Sequence, residues 1–185
     1  MVGPDGIVYP GTCRPENAPT GNRPTGVALR LDMARALKKI EFGQADVPLK
    51  DTEASTFPIF FEEGITSNRK PGPMTIDINA LITTVGDVVL ARRDMGTSYH
   101  LAVVIDDAFQ DVTHVVRGKD LFDATQIHVL LQRLLRLPTP RYFHHPLIRD
   151  EDGKRLAKRH DSKAISLYRE QGVSPEDLRS TLGLN

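Results

Sequence analysis

Val112-Thr113-His114-Val115-Val116 is followed by Ile127, Leu130, Leu131, Leu134 and Leu135 at helical spacing, and then by Tyr142-Phe143-His144-His145-Pro146-Leu147-Ile148. The first run predicts a strand, because β-branched side chains fit a pleated surface. The second predicts an amphipathic helix, with Asp123 or Thr125 as its cap. Leu137-Pro138-Thr139-Pro140 ends that helix, since a residue before proline is pushed out of the helical region. The third run predicts another strand. Strand, helix and strand in succession imply a crossover between parallel strands, and so an α/β fold.

The pattern extends outward in both directions. Asp87-Val88-Val89-Leu90-Ala91 predicts a strand leading into the turn Asp94-Met95-Gly96. Leu101 to Ile105 is continuously apolar, and periodicity leaves strand and helix both open there. Downstream, a charged loop precedes a helix over about residues 162–171. Ser174-Pro175-Glu176-Asp177 then opens a short helix with a cap and an acidic first turn. Upstream, Val27, Leu29 and Leu31 alternate like a strand. Met33, Ala36, Leu37 and Ile40 switch to helical spacing, and Gly43 can end that helix. Phe57, Ile59, Phe60 and Phe61 predict a buried edge, and Asn68-Arg69-Lys70-Pro71-Gly72-Pro73 a mobile loop. Residues 1–26 hold five of the thirteen prolines, which predicts turns and a knuckle.

Composition narrows the function classes. Twenty-four Lys plus Arg balance twenty-four Asp plus Glu, which excludes a global polyanion-binding field but not a local basic patch. Hydrophobic residues at 39% and charged residues at 26% of 185 exclude a disordered chain. No apolar run approaches the roughly 20 residues of a membrane helix. The first residues lack the basic and apolar regions of a signal peptide. A single cysteine, Cys13, excludes an internal disulfide framework and suits the cytoplasm.

One segment carries chemistry directly: Gly153-Lys154-Arg155-Leu156-Ala157-Lys158-Arg159-His160. Closely spaced cations on a loop after a strand can follow a phosphate chain and stabilise charge that develops during phosphoryl or nucleotidyl transfer. The plainer reading is a solvated basic loop. Within it, Arg155-Leu156-Ala157-Lys158-Arg159 resembles the Lys-Met-Ser-Lys-Ser signature of class I aminoacyl-tRNA synthetases. Tyr99 to Asp107, Val112 to Leu121, Gln126 to Leu131 and Tyr142 to Leu147 resemble, in order, the glutamyl-type members of that class. Tyr9-Pro10-Gly11-Thr12-Cys13-Arg14 resembles the second half of the zinc knuckle of glutamyl-Q tRNA(Asp) synthetases, relatives without an anticodon-binding domain.

The resemblance implies an α/β architecture: the second half of a Rossmann-type nucleotide-binding fold, with a partial zinc knuckle and connective region over residues 1–80 and the nucleotide-fold half over residues 81–185. It makes Tyr99 to about Phe109 a helix. It implies that Tyr99 and Arg117 bind glutamate, that Lys158 stabilises the pyrophosphate leaving from ATP with Arg155 and Arg159 assisting, and that His144 contacts nucleotide; packing is the other reading of His144. It implies zinc at Tyr9 and Cys13, although one thiolate and one phenol are too few donors for a closed tetrahedral site. Partners follow: glutamate and tRNA(Asp) or tRNA(Glu), with the protein a monomer. Asp106-Asp107 reads as structural or tRNA-facing, because adjacent helical residues diverge by about 100°.

The family's His-Ile-Gly-His signature, the glutamate-contacting Arg and Ser before it and a pocket acid after it have no counterpart here. The resemblance therefore implies one wall of a two-walled site, without glutamate-dependent ATP–pyrophosphate exchange on its own and with an uncovered apolar sheet edge and face. Two other expectations stand beside a glutamyl-Q-type ligase. One is a piece of an ordinary glutamyl-tRNA synthetase, and the other a non-catalytic tRNA- or protein-binding remnant.

Overall fold

A computed structural model describes residues 2–3, 6–14, 21–22, 25–41, 59–64, 70–149, 153 and 164–183. The chain divides into two compact units, Met1–Pro146 and Leu147–Asn185.

The first unit opens with a small antiparallel hairpin, β1 (Val2–Gly3) and β2 (Gly6–Ile7). Strand β3 (Leu29–Arg30) leads into helix α1 (Met33–Glu41), whose first turn is capped when Asp32 accepts from the Arg35 N–H at 3.1 Å. Strands β4 (Ile59–Glu62) and β5 (Gly72–Thr75) form an antiparallel pair. A short helix, α2 (Ile78–Ala80), capped by Asp77, continues into a π-helical turn over Leu81–Val85. Next come β6 (Val89–Ala91), α3 (Tyr99–Phe109), β7 (His114–Gly118), a single 3₁₀ turn, α4 (Phe122–Leu135) and β8 (Arg141–His145). The second unit contains α5 (Ile165–Glu170) and α6 (Pro175–Thr181), the latter held by a full capping box between Ser174 and Asp177.

The main sheet has the order β5-β4-β8-β7 and is mixed: β4, β8 and β7 run parallel, while β5 is antiparallel to β4. Its inner face carries Phe60, Glu62, Tyr142 and His144, all buried. Alternation sends Phe61 and Phe143 outward. The β7–α4–β8 crossover places Ile127, Leu130 and Leu131 in the core with Tyr142, and Phe60 meets Tyr142 edge-on at 5.5 Å. Strand β6 lies outside this sheet and pairs with β3. Buried Asp87 ties that region together: its carboxylate accepts from Arg14 at 2.8 and 3.1 Å and from the Met33 N–H at 2.9 Å.

Helices α1, α3, α5 and α6 follow the sequence reading; strands β7 and β8 form where it expects strands, but Val112 and Thr113 precede β7 and Pro146 to Ile148 lie beyond β8. Three local expectations are corrected. Gly72 and Pro73 belong to strand β5, which tolerates proline because it sits at the sheet edge. Strand β4 is internal, with Phe60 buried and Phe61 turned outward; Phe57 lies outside the described residues. Neither Asp123 nor Thr125 caps α4: Leu121 occupies that position with no side-chain cap, and Thr125 lies within the helix. Gly43 and most of the 68–73 stretch's first half, Asn68 and Arg69, also fall outside the described residues.

Candidate functional site

Arg117 lies near the end of β7, directly opposite His144 in the parallel register. Both side chains face α4. The Arg117 guanidinium donates from Nε to His144 Nε2 at 3.1 Å and from Nη1 to His128 Nδ1 at 3.1 Å. From Nη2 it donates to Thr125 Oγ1 at 2.6 Å and to the Leu121 carbonyl at 3.3 Å. Arginine has five N–H groups and no acceptor. Among the described residues four of them have acceptors, leaving one Nη1 hydrogen for a ligand. A guanidinium so engaged offers a ligand one charge-assisted hydrogen bond in place of a two-pronged grip.

The acceptors are themselves held. His144 Nδ1 lies 2.6 Å from Glu62 Oε2, and Oε1 of the same carboxylate accepts from the backbone N–H groups of His144 and Gly64, both at 2.9 Å. Glu62 and His144 are each 1% exposed. Because Arg117 only donates, His144 Nε2 must accept, so its proton sits on Nδ1 and points at Glu62. Burial holds the His144 imidazole below its ordinary titration range; Glu62 pulls the other way and loses, and Arg117 adds to the lowering. Both ring nitrogens are engaged within the protein, so a nucleotide contact from His144 requires one of these pairs to open.

His128 joins the second expected ligand residue to the first. It accepts from Arg117 on Nδ1, and its Nε2 lies 3.0 Å from His100 Nδ1. The Tyr99 ring packs edge-on against His128, with centroids 5.8 Å apart. Tyr99 and Arg117 thus meet around one imidazole. Tyr99 is 49% exposed. It lines a cleft of about 560 Å³ with Ser98, His100, Arg92 and Arg93, at the N-terminal end of α3. Two arginines and the positive end of a helix suit an anionic ligand. On the same helix, burial raises the Asp107 carboxyl above its usual range, opposed by Arg117 and assisted by Asp106.

Glu62 and His128 were not singled out by sequence reasoning, and Thr125 was read only as a possible helix cap. For the last two a signal existed: Thr125, His128 and Gln132 are spaced three and four apart, a polar stripe beside the apolar face of α4. For Glu62 there was none, because Glu62-Glu63 reads as a solvated pair.

At the other end of the unit, the Tyr9 hydroxyl accepts from the Cys13 N–H at 2.7 Å, and Arg30 stacks over the Tyr9 ring at 4.6 Å. Cys13 is exposed. Among the described residues no group of three His, Cys, Asp or Glu side chains converges. Tyr9 and Cys13 supply two donors, and the phenol already serves the turn, so the residues present do not by themselves fit a closed zinc site. Arg155, Lys158 and Arg159 lie outside the described residues. No helix among the described residues is long and apolar enough to cross a membrane.

A mixed sheet with parallel strands joined by a helical crossover agrees with what the family comparison finds. The family described as "tRNA synthetases class I (E and Q), catalytic domain" matches residues 69–185, and the chain belongs to it. Within that class it is similar to the Glutamyl-Q tRNA(Asp) synthetase of Rhodobacter capsulatus, with 51% identity over 99% of this chain and 59% of that protein. It is also similar to the protein of the same name from Leptothrix cholodnii, at 40% identity over 90% of this chain and 47% of that one. The chain thus spans about half to three fifths of the length of these relatives. Among solved structures, a glutamate tRNA ligase from Elizabethkingia meningosepticum in complex with its amino acid aligns with a TM-score of 0.43 and 32% identity, over 55% of this chain and 19% of that one.

Proposed function

We propose that the protein carrying this chain activates glutamate with ATP and transfers it to the queuosine base of tRNA(Asp), acting as a cytoplasmic monomer. The observation that carries this reading is Arg117. Its guanidinium is fixed by His144, His128, Thr125 and the Leu121 carbonyl yet keeps, among the described residues, one N–H without an acceptor, and the Tyr99 ring packs against the same His128 imidazole. That arrangement suits one carboxylate of glutamate, with the Tyr99 hydroxyl as a further hydrogen-bonding group. The name shared by the relatives supplies the acceptor nucleic acid. In this reading residues 1–80 form the knuckle and connective region, and residues 81–185 form the second half of the nucleotide fold.

The chemistry has two steps. A glutamate carboxylate oxygen attacks the α-phosphorus of ATP and the bond to pyrophosphate breaks. Lys158, with Arg155 and Arg159, stabilises the charge that gathers on the leaving group. A hydroxyl of the queuosine then attacks the acyl carbon, and AMP leaves. The residues named here act by position and charge, and none forms a covalent intermediate.

The deciding experiment offers labelled glutamate and ATP to the protein containing this chain, with tRNA(Asp) bearing queuosine, tRNA(Asp) lacking it, and tRNA(Glu). Label is expected on the first alone. Charging of tRNA(Glu) instead would make the protein an ordinary glutamyl-tRNA synthetase, and salt-sensitive tRNA binding without label transfer would make it a binding remnant.

A further inference from the structure

The least expected group in the fold is the Glu62 carboxylate. It is 1% exposed at the end of an internal strand, where an ionised group is costly unless fully hydrogen-bonded. It is fully hydrogen-bonded: Oε1 takes the N–H groups of Gly64 and His144, and Oε2 takes His144 Nδ1. The backbone closes around it. A Cβ at Gly64 would stand 2.6 Å from Glu62 Oε1 and 2.7 Å from the His144 carbonyl oxygen, so only glycine fits there without movement.

What this carboxylate does follows from counting protons. Two backbone N–H groups fix Oε1 as an acceptor, and Oε2 faces His144 Nδ1 at 2.6 Å. Arginine only donates, so His144 Nε2 accepts the Arg117 Nε–H, the imidazole carries its hydrogen on Nδ1, and Glu62 Oε2 is the acceptor that faces it. The imidazole Nε2 is then a bare lone pair, the one form that can receive the Arg117 Nε–H. The other tautomer, or an imidazolium, would set its Nε2–H against the Arg117 Nε–H, with Thr125 Oγ1 at 3.1 Å left to accept it among the described residues. On the far side of Arg117, His128 does the reverse: its Nδ1 accepts from Arg117, so its hydrogen lies on Nε2, toward His100 Nδ1. One guanidinium is therefore clamped between two imidazoles of opposite tautomer, and Glu62 sets the one on the sheet side.

We infer that Glu62 is a positioning residue of the amino-acid pocket, holding His144 in the Nδ1–H form and through it fixing the Arg117 guanidinium that receives the substrate carboxylate. This rests on the reading of Arg117 as the carboxylate-binding group. Glu62 itself touches no substrate. The same relay of a carboxylate orienting an imidazole that orients a working group recurs wherever a tautomer must be held.

Glu62→Gln isolates the role. Gln is isosteric, and the two backbone N–H groups oblige its amide oxygen to take the Oε1 position. The amide NH₂ then faces His144 Nδ1 and requires that nitrogen to accept. The imidazole must move its hydrogen to Nε2, opposite the Arg117 Nε–H. In the full 185-residue chain labelled with ¹⁵N at histidine and arginine, the wild type is expected to show His144 as the Nδ1–H tautomer, identified by its loss in His144→Gln, and a slowly exchanging Arg117 Nε–H. In Glu62→Gln the His144 pattern should switch to Nε2–H and the Arg117 signal should lose its protection. In the protein containing this chain, the KM for glutamate should rise about tenfold, the size of one lost charge-assisted hydrogen bond, with the KM for ATP unchanged. A wild-type His144 found as Nε2–H or as imidazolium overturns the inference without any variant, so a Glu62→Gln chain that fails to fold does not shelter it. An unchanged tautomer in Glu62→Gln also overturns it, as does a switched tautomer with an unchanged glutamate KM. Failure of the functional reading is seen separately, in a wild-type protein that uses no glutamate.

Discussion

At the scale of single residues, the site turns on the protonation of His144. Its ordinary pKa of 6.5 is lowered in the fold, first because burial disfavours the charged ring, with Glu62 opposing and Arg117 and His145 contributing. The folded state therefore binds fewer protons here than the unfolded state between the lowered value and 6.5, and stability rises with pH across that window. The stabilisation is complete above 6.5 and is lost as pH falls through the folded value. A His144→Gln chain has no ring to protonate. Its melting temperature is expected to fall less steeply than the wild type's as pH drops below 6.5. Melting curves of the two chains at several pH values check this, and equal slopes would remove His144 as the titrating group. Asp107 has the opposite sign, since its raised carboxyl disfavours the fold as pH rises. The comparison therefore belongs above the carboxylate range.

At the scale of elements, the site depends on the exit from β4. Gly64 lies against His144 of β8, and a Cβ there would meet the His144 backbone nitrogen at 2.9 Å as well as its carbonyl oxygen. Main chain cannot rotate aside as a side chain does, so Gly64→Ala should cost about 1–3 kcal/mol, as overpacking does. Gly96 is the control, because a Cβ there meets nothing within 4 Å. Chemical denaturation of both variants tests the contrast, and a Gly64→Ala chain as stable as Gly96→Ala would mean that this junction is loose. The same junction shows what a sequence can and cannot disclose. Helix α1 was legible because Met33, Ala36, Leu37 and Ile40 hold one period, and α6 because Ser174 and Asp177 make a capping box within four residues. Helix α3 was not legible from periodicity, since Leu101 to Ile105 is apolar on every side, and the family resemblance identified it. Glu62 was hidden because its meaning lies in a parallel pairing with β8 that brings it to His144 across 82 positions of chain. No local pattern encodes that pairing. Arg117 and Tyr99 were found by resemblance, but the engagement of four Arg117 N–H groups needed coordinates.

At the scale of the whole molecule, the sheet has one covered face and one open one among the described residues. Among the described residues strand β7 is an edge, paired only with β8. Facing outward from β7, β8 and β4 are Val116, Phe143 and Phe61, exposed at 68%, 39% and 37%. Arg141 lies over the Phe61 ring at 4.0 Å and pairs with Glu63, which screens part of this face. Val116 stands beyond that cover, on the edge strand itself. An unpaired edge with an apolar side chain beside it is a template for adding another strand, and a formal net charge of zero supplies no long-range repulsion against it. The 185-residue chain is therefore expected to associate progressively with concentration, without a single defined stoichiometry. Val116→Lys places a charge on that edge, at an exposed position where the fold has little to lose. Sedimentation velocity over a range of concentrations should show the wild type shifting toward larger species and Val116→Lys remaining at the size of one chain. If the two chains sediment alike at every concentration, the β7 edge is not the route of association.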